Sequence, residues 1–179
     1  MADRIIILLE RSLPTWNDLP AMPLFNQQVV DYVNEQLGPY LLKNQKLTST
    51  MIQNYTKWEV LPKPIGRKYD RLHIAQIIVI TILKHIIPLE DVHSGINLMV
   101  QLVGHEEAYD SFIKTLSEST KRTFEPLLDP TLPSYRYSGF EISRKLIAIA
   151  AISDAYSRML LTEMILEKQG IRGLLKETH

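Results

Sequence analysis

Residues 47–70 read LTSTMIQNYTKWEVLPKPIGRKYD, and residues 71–92 continue RLHIAQIIVITILKHIIPLEDV. Thr48 is a good N-cap, so the first stretch predicts a short helix from Thr48 to Trp58. Met51, Ile52, Tyr55 and Trp58 supply its apolar contacts, with Tyr55 and Trp58 expected in the core or a hinge. Ser49, Thr50, Gln53, Asn54 and Lys57 are left as the polar positions. Pro62-Lys63-Pro64-Ile65-Gly66 cannot continue a helix and predicts a tight basic connection ending in Arg67 and Lys68. The run from Arg71 to Ile87 is apolar nearly all round and too long for an ordinary strand, which predicts a buried helix. Pro88 ends that helix and starts the next, with Glu90 and Asp91 in the first turn, where the helix dipole favours acids.

Outward from this centre, Val29, Val33 and Leu37 recur every four residues and predict a helix over Asn26–Leu37, stopped by Gly38-Pro39. The first 25 residues carry Pro14, Pro20 and Pro23 and read as a short helical or irregular arm. Tyr109, Phe112, Ile113 and Leu116 repeat at i, i+3, i+4 and i+7, predicting an amphipathic helix over Glu106–Ser119. Pro126, Pro130 and Pro133 mark a loop from about Glu125 to Gly139. A long helix is expected from Glu141 to Gln169, spanning ~44 Å, with Gly170 as its stop. A helix of that length forms the spine of a bundle or pairs with its copy in a dimer.

The chain has 179 residues, no cysteine and zero formal net charge. The missing cysteine excludes disulfides, thiolate metal sites and thiol nucleophiles, and suits a reducing cytoplasm. No apolar run reaches the ~18 residues needed to span a bilayer, and Ile5–Leu9 is too short for a signal segment, so a soluble chain with no membrane partner is expected. The charge is unevenly placed. From Leu41 to His73 there are seven cations (Lys43, Lys46, Lys57, Lys63, Arg67, Lys68, Arg71) against Glu59 and Asp70. From Pro88 to Ile113 there are five acids and no Lys or Arg. A local basic stripe on a neutral chain fits a small anion-binding face; taken alone it is equally a solvated patch.

A helix with short hydrogen-bonding side chains at its start and amides further along suits a DNA major groove. Ser49, Thr50, Gln53 and Asn54 are the candidate base-facing residues, and Lys57, Lys63, Arg67 and Lys68 the candidate phosphate contacts. A solvent-facing helix surface would account for the same four polar residues. His73, His85, His93 and His105 match no ligand spacing and are expected to be structural, so no metal or cofactor is expected. Ser153-Asp154 with His93 lacks a strained nucleophile turn, and no phosphate loop or dinucleotide fingerprint occurs; the reading is of a protein that is not an enzyme.

Ile52, Tyr55, Val60-Leu61-Pro62, Pro64, Arg67-Lys68-Tyr69-Asp70 and Leu89-Glu90-Asp91-Val92 fall in the order of the MerR family of winged-helix regulators, which this region resembles. It departs from that family in having Gln53-Asn54-Tyr55 where an arginine precedes two tyrosines, Glu59 where glycine is preferred, a shorter wing, and a first helix lying further upstream. The longer stretch from Leu19-Pro20 through Val92 resembles the bacterial family named domain of unknown function 1836, which implies no established activity. The resemblance implies an all-α fold: an N-terminal arm (1–25), a MerR-like winged helix-turn-helix domain (26–95), and a helical bundle, dimerisation or sensing region (96–179) with a long C-terminal helix. The expected function is a cytoplasmic, homodimeric transcriptional regulator that binds double-stranded DNA, with room for an unidentified small-molecule effector. The rival readings are a helical protein-interaction adaptor and a small-molecule sensor.

Overall fold

The computed structural model describes residues 2–42, 45–128 and 144–167. Among these lie seven α-helices: α1 (Ala2–Glu10), α2 (Asn26–Leu37), α3 (Ser49–Lys57), α4 (Arg71–Leu83), α5 (Leu89–Val103), α6 (His105–Phe124) and α7 (Ile147–Glu167). Two short strands, β1 (Leu24–Phe25) and β2 (Lys68–Tyr69), and short 3₁₀ turns at Trp16–Asp18, Gly38–Tyr40, Glu125–Leu128 and Arg144–Leu146 are the other regular elements among the described residues. The chain is mostly helical, as expected. It falls into two compact units, Leu13–Ile113, and Met1–Ser12 with Lys114–His179.

In the unit Leu13–Ile113, α4 is buried on every side: from His73 to Leu83 only Gln76 is less than fully buried. That burial explains the lack of polar periodicity in its sequence. Asp70 caps α4, its carboxylate accepting the His73 N–H at 3.2 Å. The helix ends at Leu83, four residues before the expected Ile87. Pro88 disfavours a helical Ile87, and its ring would collide with the Lys84 carbonyl one turn back. The Ile86 and Ile87 N–H groups both turn back to the Leu83 carbonyl instead, at 2.9 and 3.1 Å.

α2 spans the expected residues and buries Val29, Val33 and Leu37. Its Asn34 side chain fixes the chain entering α3. The Asn34 amide donates to the Leu47 carbonyl at 2.9 Å and accepts the Leu47 N–H at 2.8 Å. The linker is anchored by buried Leu41, Leu42, Gln45 and Leu47 while Lys46 is exposed; Lys43 lies outside the described residues. The segment before β1 is held as firmly. The Tyr109 hydroxyl donates to the Pro14 carbonyl at 3.0 Å, and the Trp16 N–H donates to Asp110 at 2.6 Å. Arg71 reaches the Leu19 carbonyl at 3.3 Å. On α5, His93 Nδ1 donates to the Val60 carbonyl at 2.9 Å, which ties this helix to the turn after α3.

The unit Met1–Ser12 with Lys114–His179 buries Ile5 and Leu8 of α1, Leu116 and Phe124 of α6, and Tyr156, Leu160 and Met164 of α7. Asp154 is its polar centre: it accepts from the Ser119 hydroxyl and pairs with Arg122 at 3.2 Å and Arg158 at 3.7 Å. α6 runs beyond the expected Ser119 to Phe124. Of the last expected helix, the described residues form a 3₁₀ turn at Arg144–Leu146 and α7; residues 141–143, 168–169 and Gly170 lie outside the described residues. Among the described residues no helix is long and apolar enough to cross a membrane.

Candidate nucleic-acid interface

The Thr48 hydroxyl accepts the Met51 N–H at 3.3 Å and opens α3. Ile52 and Tyr55 are buried and fix the inner face of the helix. Burial pushes the Tyr55 phenol up to about 12. Behind the helix, the Lys84 ammonium lies 3.3 Å from Met51 Sδ and 6.0 Å from the centre of the Tyr55 ring. Desolvation there lowers the Lys84 pKa.

The outer face carries the expected polar residues. Thr50, Gln53 and Lys57 are exposed, and their i, i+3, i+7 spacing makes one stripe along the helix. Asn54 borders that stripe, half-buried. Ser49 turns toward α2, its hydroxyl donating to Gln27 at 3.1 Å, while the Asn26 amide donates to the Ser49 carbonyl at 3.4 Å. Of the four base-facing candidates, three therefore share one outward surface and Ser49 sits at its edge.

α3 ends in a Schellman turn. The Val60 N–H reaches the Tyr55 carbonyl at 3.0 Å and the Glu59 N–H reaches the Thr56 carbonyl at 3.2 Å. The turn places Glu59 at a φ of 58°, a left-handed conformation that glycine adopts more readily. Of the two places expected for Trp58, core or hinge, the core is not the one it takes: it is 57% exposed at the C-cap of α3. The chain reverses immediately after it, so Val60 and Leu61 take the buried positions that a longer helix would have offered the indole.

The basic connection is a hairpin. Ile65 and Lys68 exchange both backbone hydrogen bonds at 3.0 Å, and the two residues between them, Gly66 and Arg67, have φ of 55° and 67°. Two successive positive φ values mark the I′ class of turn, whose twist matches that of the paired strands. Glycine serves the first position; Arg67 holds the second against the strain a Cβ incurs there. β2 pairs on its other side with β1, antiparallel, in the register Leu24↔Tyr69 and Phe25↔Lys68. Tyr69 is buried and meets His73 edge-on at 5.6 Å. His73 closes the hairpin base, with Nδ1 at 2.7 Å from Asp70 and Nε2 at 3.4 Å from the Lys63 carbonyl. Lys63, Arg67 and Lys68 are exposed. Among the described residues no carboxylate pairs with these three cations or with Lys57.

The sequence pattern gave no sign of β1, because two-residue strands leave no alternation to detect. The only available signal was the pair Gly66-Arg67 between Ile65 and Lys68, a hairpin-length interval. Among the described residues no group of three or more His, Asp or Glu side chains is placed to hold a metal ion.

No curated protein matches the chain. No solved structure matches it either. Residues 14–112, more than half of the chain, match the family described as Domain of unknown function (DUF1836). That span coincides with the unit Leu13–Ile113 to within one residue at each end, and it contains both α3 and the basic hairpin. The chain belongs to the domain of unknown function 1836 family.

Proposed function

We propose that the protein is a DNA-binding transcriptional regulator with a MerR-like winged-helix arrangement, acting as a homodimer on duplex DNA. The observation that carries this reading is the outer stripe of α3. Thr50, Gln53 and Lys57 face solvent on a helix whose opposite face is anchored by Ile52 and Tyr55. In this reading α3 enters the major groove, where Gln53 and Asn54 pair with adenine edges and Ser49 and Thr50 contact base edges near the helix start. Lys57, Lys63, Arg67 and Lys68 take phosphates. The hairpin then serves as the wing, and two copies of α3 about 34 Å apart meet successive major grooves of a pseudo-palindromic site.

The test begins with fragments of the source organism's genomic DNA selected by the full-length protein. Affinity is then followed by fluorescence anisotropy across a salt series. Arg67→Gln is expected to weaken all sequences alike and to reduce the log–log salt slope by about 0.9. Gln53→Ala is expected to relax preference at one base pair, by about 1–3 kcal/mol. Absence of any selected fragment, or an Arg67→Gln slope equal to that of the unaltered protein, overturns the reading.

A protein-interaction adaptor is the second reading. It is favoured by Leu98 and Leu102, one turn apart on α5 and 57% and 55% exposed. A self-association interface that buries the outer stripe of α3 would decide for it.

A further inference from the structure

The three-residue row Phe25, Lys68 and Ile65 crosses the small sheet from side to side. Phe25 is the register partner of Lys68 in β1, and Ile65 is its partner across the hairpin. Directly opposed residues project from the same face of a sheet, and the contacts agree: the Lys68 ammonium lies 4.9 Å from the centre of the Phe25 ring. The other face is turned inward through buried Tyr69. The outward row is an aromatic ring, an ammonium and an aliphatic side chain, with Phe25 53% and Ile65 75% exposed. A single exposed apolar residue needs no explanation. Two of them in register around a cation, beside Arg67 and with no carboxylate paired to either cation, form a surface of defined chemistry.

We propose that this row is a second contact surface for the same DNA, with Lys68 on a phosphate and the Phe25 and Ile65 side chains packed on the apolar faces of neighbouring deoxyriboses. The proposal rests on the DNA-binding reading above and adds to it a contact that is not ionic. Two observations favour DNA as the occupant. The cations around the row lack carboxylate partners, so the surface complements a polyanion. The row also adjoins the N-terminus of α3, because Asn26 and Gln27, the residues after Phe25, hydrogen-bond Ser49. The two surfaces therefore lie side by side on one unit. A sugar–phosphate strand presents alternating charge and apolar C–H faces, and the row presents the matching alternation.

Apolar packing releases no condensed counterions, whereas each phosphate contact does. The experiment uses the full chain and the DNA fragment selected by the unaltered protein, with anisotropy measured at several salt concentrations. Ile65→Ser and Phe25→Ser are each expected to weaken binding about tenfold with the salt slope unchanged. Lys68→Gln is expected to reduce the slope by about 0.9, and Phe25→Leu to retain most of the affinity. Thermal melts check each variant's fold, and Ile65→Ser, at the most exposed of the three positions, carries the test if Phe25→Ser unfolds. If Ile65→Ser binds like the unaltered protein while Gln53→Ala or Arg67→Gln weakens binding, the second surface is refuted and the DNA-binding reading stands. If both serine variants leave DNA affinity intact but abolish self-association, the row is a protein contact and the proposal fails. If the unaltered protein selects no DNA, both readings fall together.

Discussion

Glu59 sits at the left-handed position that ends α3, at a φ of 58°. For a residue with a Cβ this conformation costs about 1–2 kcal/mol relative to a right-handed one. Glycine escapes that cost but loses about 0.5–1 kcal/mol through the greater freedom of its unfolded chain. Glu59→Gly is therefore expected to stabilise the protein by about 0.5–1 kcal/mol. For a chain of this length that gain raises the melting temperature by roughly 1–4 °C. The backbone bonds of the turn, from Glu59 to Thr56 and from Val60 to Tyr55, are unaffected by the change. Glu59→Ala keeps the Cβ and should gain nothing; Glu59→Gln keeps the strain and removes the charge, separating electrostatics from conformation. Calorimetric melts of the four proteins in one buffer measure the difference, with urea midpoints as a second readout. A Glu59→Gly protein no more stable than the original, or a Glu59→Ala protein gaining as much, would refute the assignment of strain to this residue.

Asn34→Ala removes both hydrogen bonds to Leu47 and strands a backbone N–H and a carbonyl, so a loss of about 2–3 kcal/mol is expected in urea unfolding; a loss below about 0.5 kcal/mol would mean that the linker is held by its buried leucines alone. Burial raises the Asp70 pKa, but hydrogen bonds from the His73 side chain and backbone outweigh it and hold the carboxyl below its ordinary 3.8. A carboxyl depressed by folding contributes stability that is complete above its unfolded value and is lost as pH falls through the folded one. Asp70→Asn should thus be less stable near neutrality and show a flatter acid limb below about pH 4; urea midpoints whose acid limb is as steep as the original's would exclude Asp70 as its source.

Elements set by local signals were readable from the sequence. α2 matches its expected span because a spacing of four and a Gly-Pro stop both act within a few residues. Thr48 and Pro88 were placed correctly as helix starters for the same reason. The outer polar stripe of α3 was also legible, since Ile52 and Tyr55 define its inner face. What escaped were features decided by chain reversal or by partners distant in sequence. Trp58 reads as a core or hinge residue, and the left-handed turn after it leaves it exposed at the chain reversal while Val60 and Leu61 take the buried positions. β1 exists only because Lys68 and Tyr69, more than forty residues later, pair with it. The same distance hides the alignment of Phe25, Lys68 and Ile65, three residues that sequence inspection has no reason to group.

The two-residue turn at Gly66-Arg67 also limits how this loop can vary in length. Side chains along a strand alternate between faces, so an insertion that shifts the ladder by one step would reverse every residue beyond it. Lys68 would swing inward and Tyr69 outward, exchanging an ammonium for a phenol in the protein interior. Natural variants of this hairpin should accordingly gain or lose residues in pairs, or absorb an odd one in a bulge.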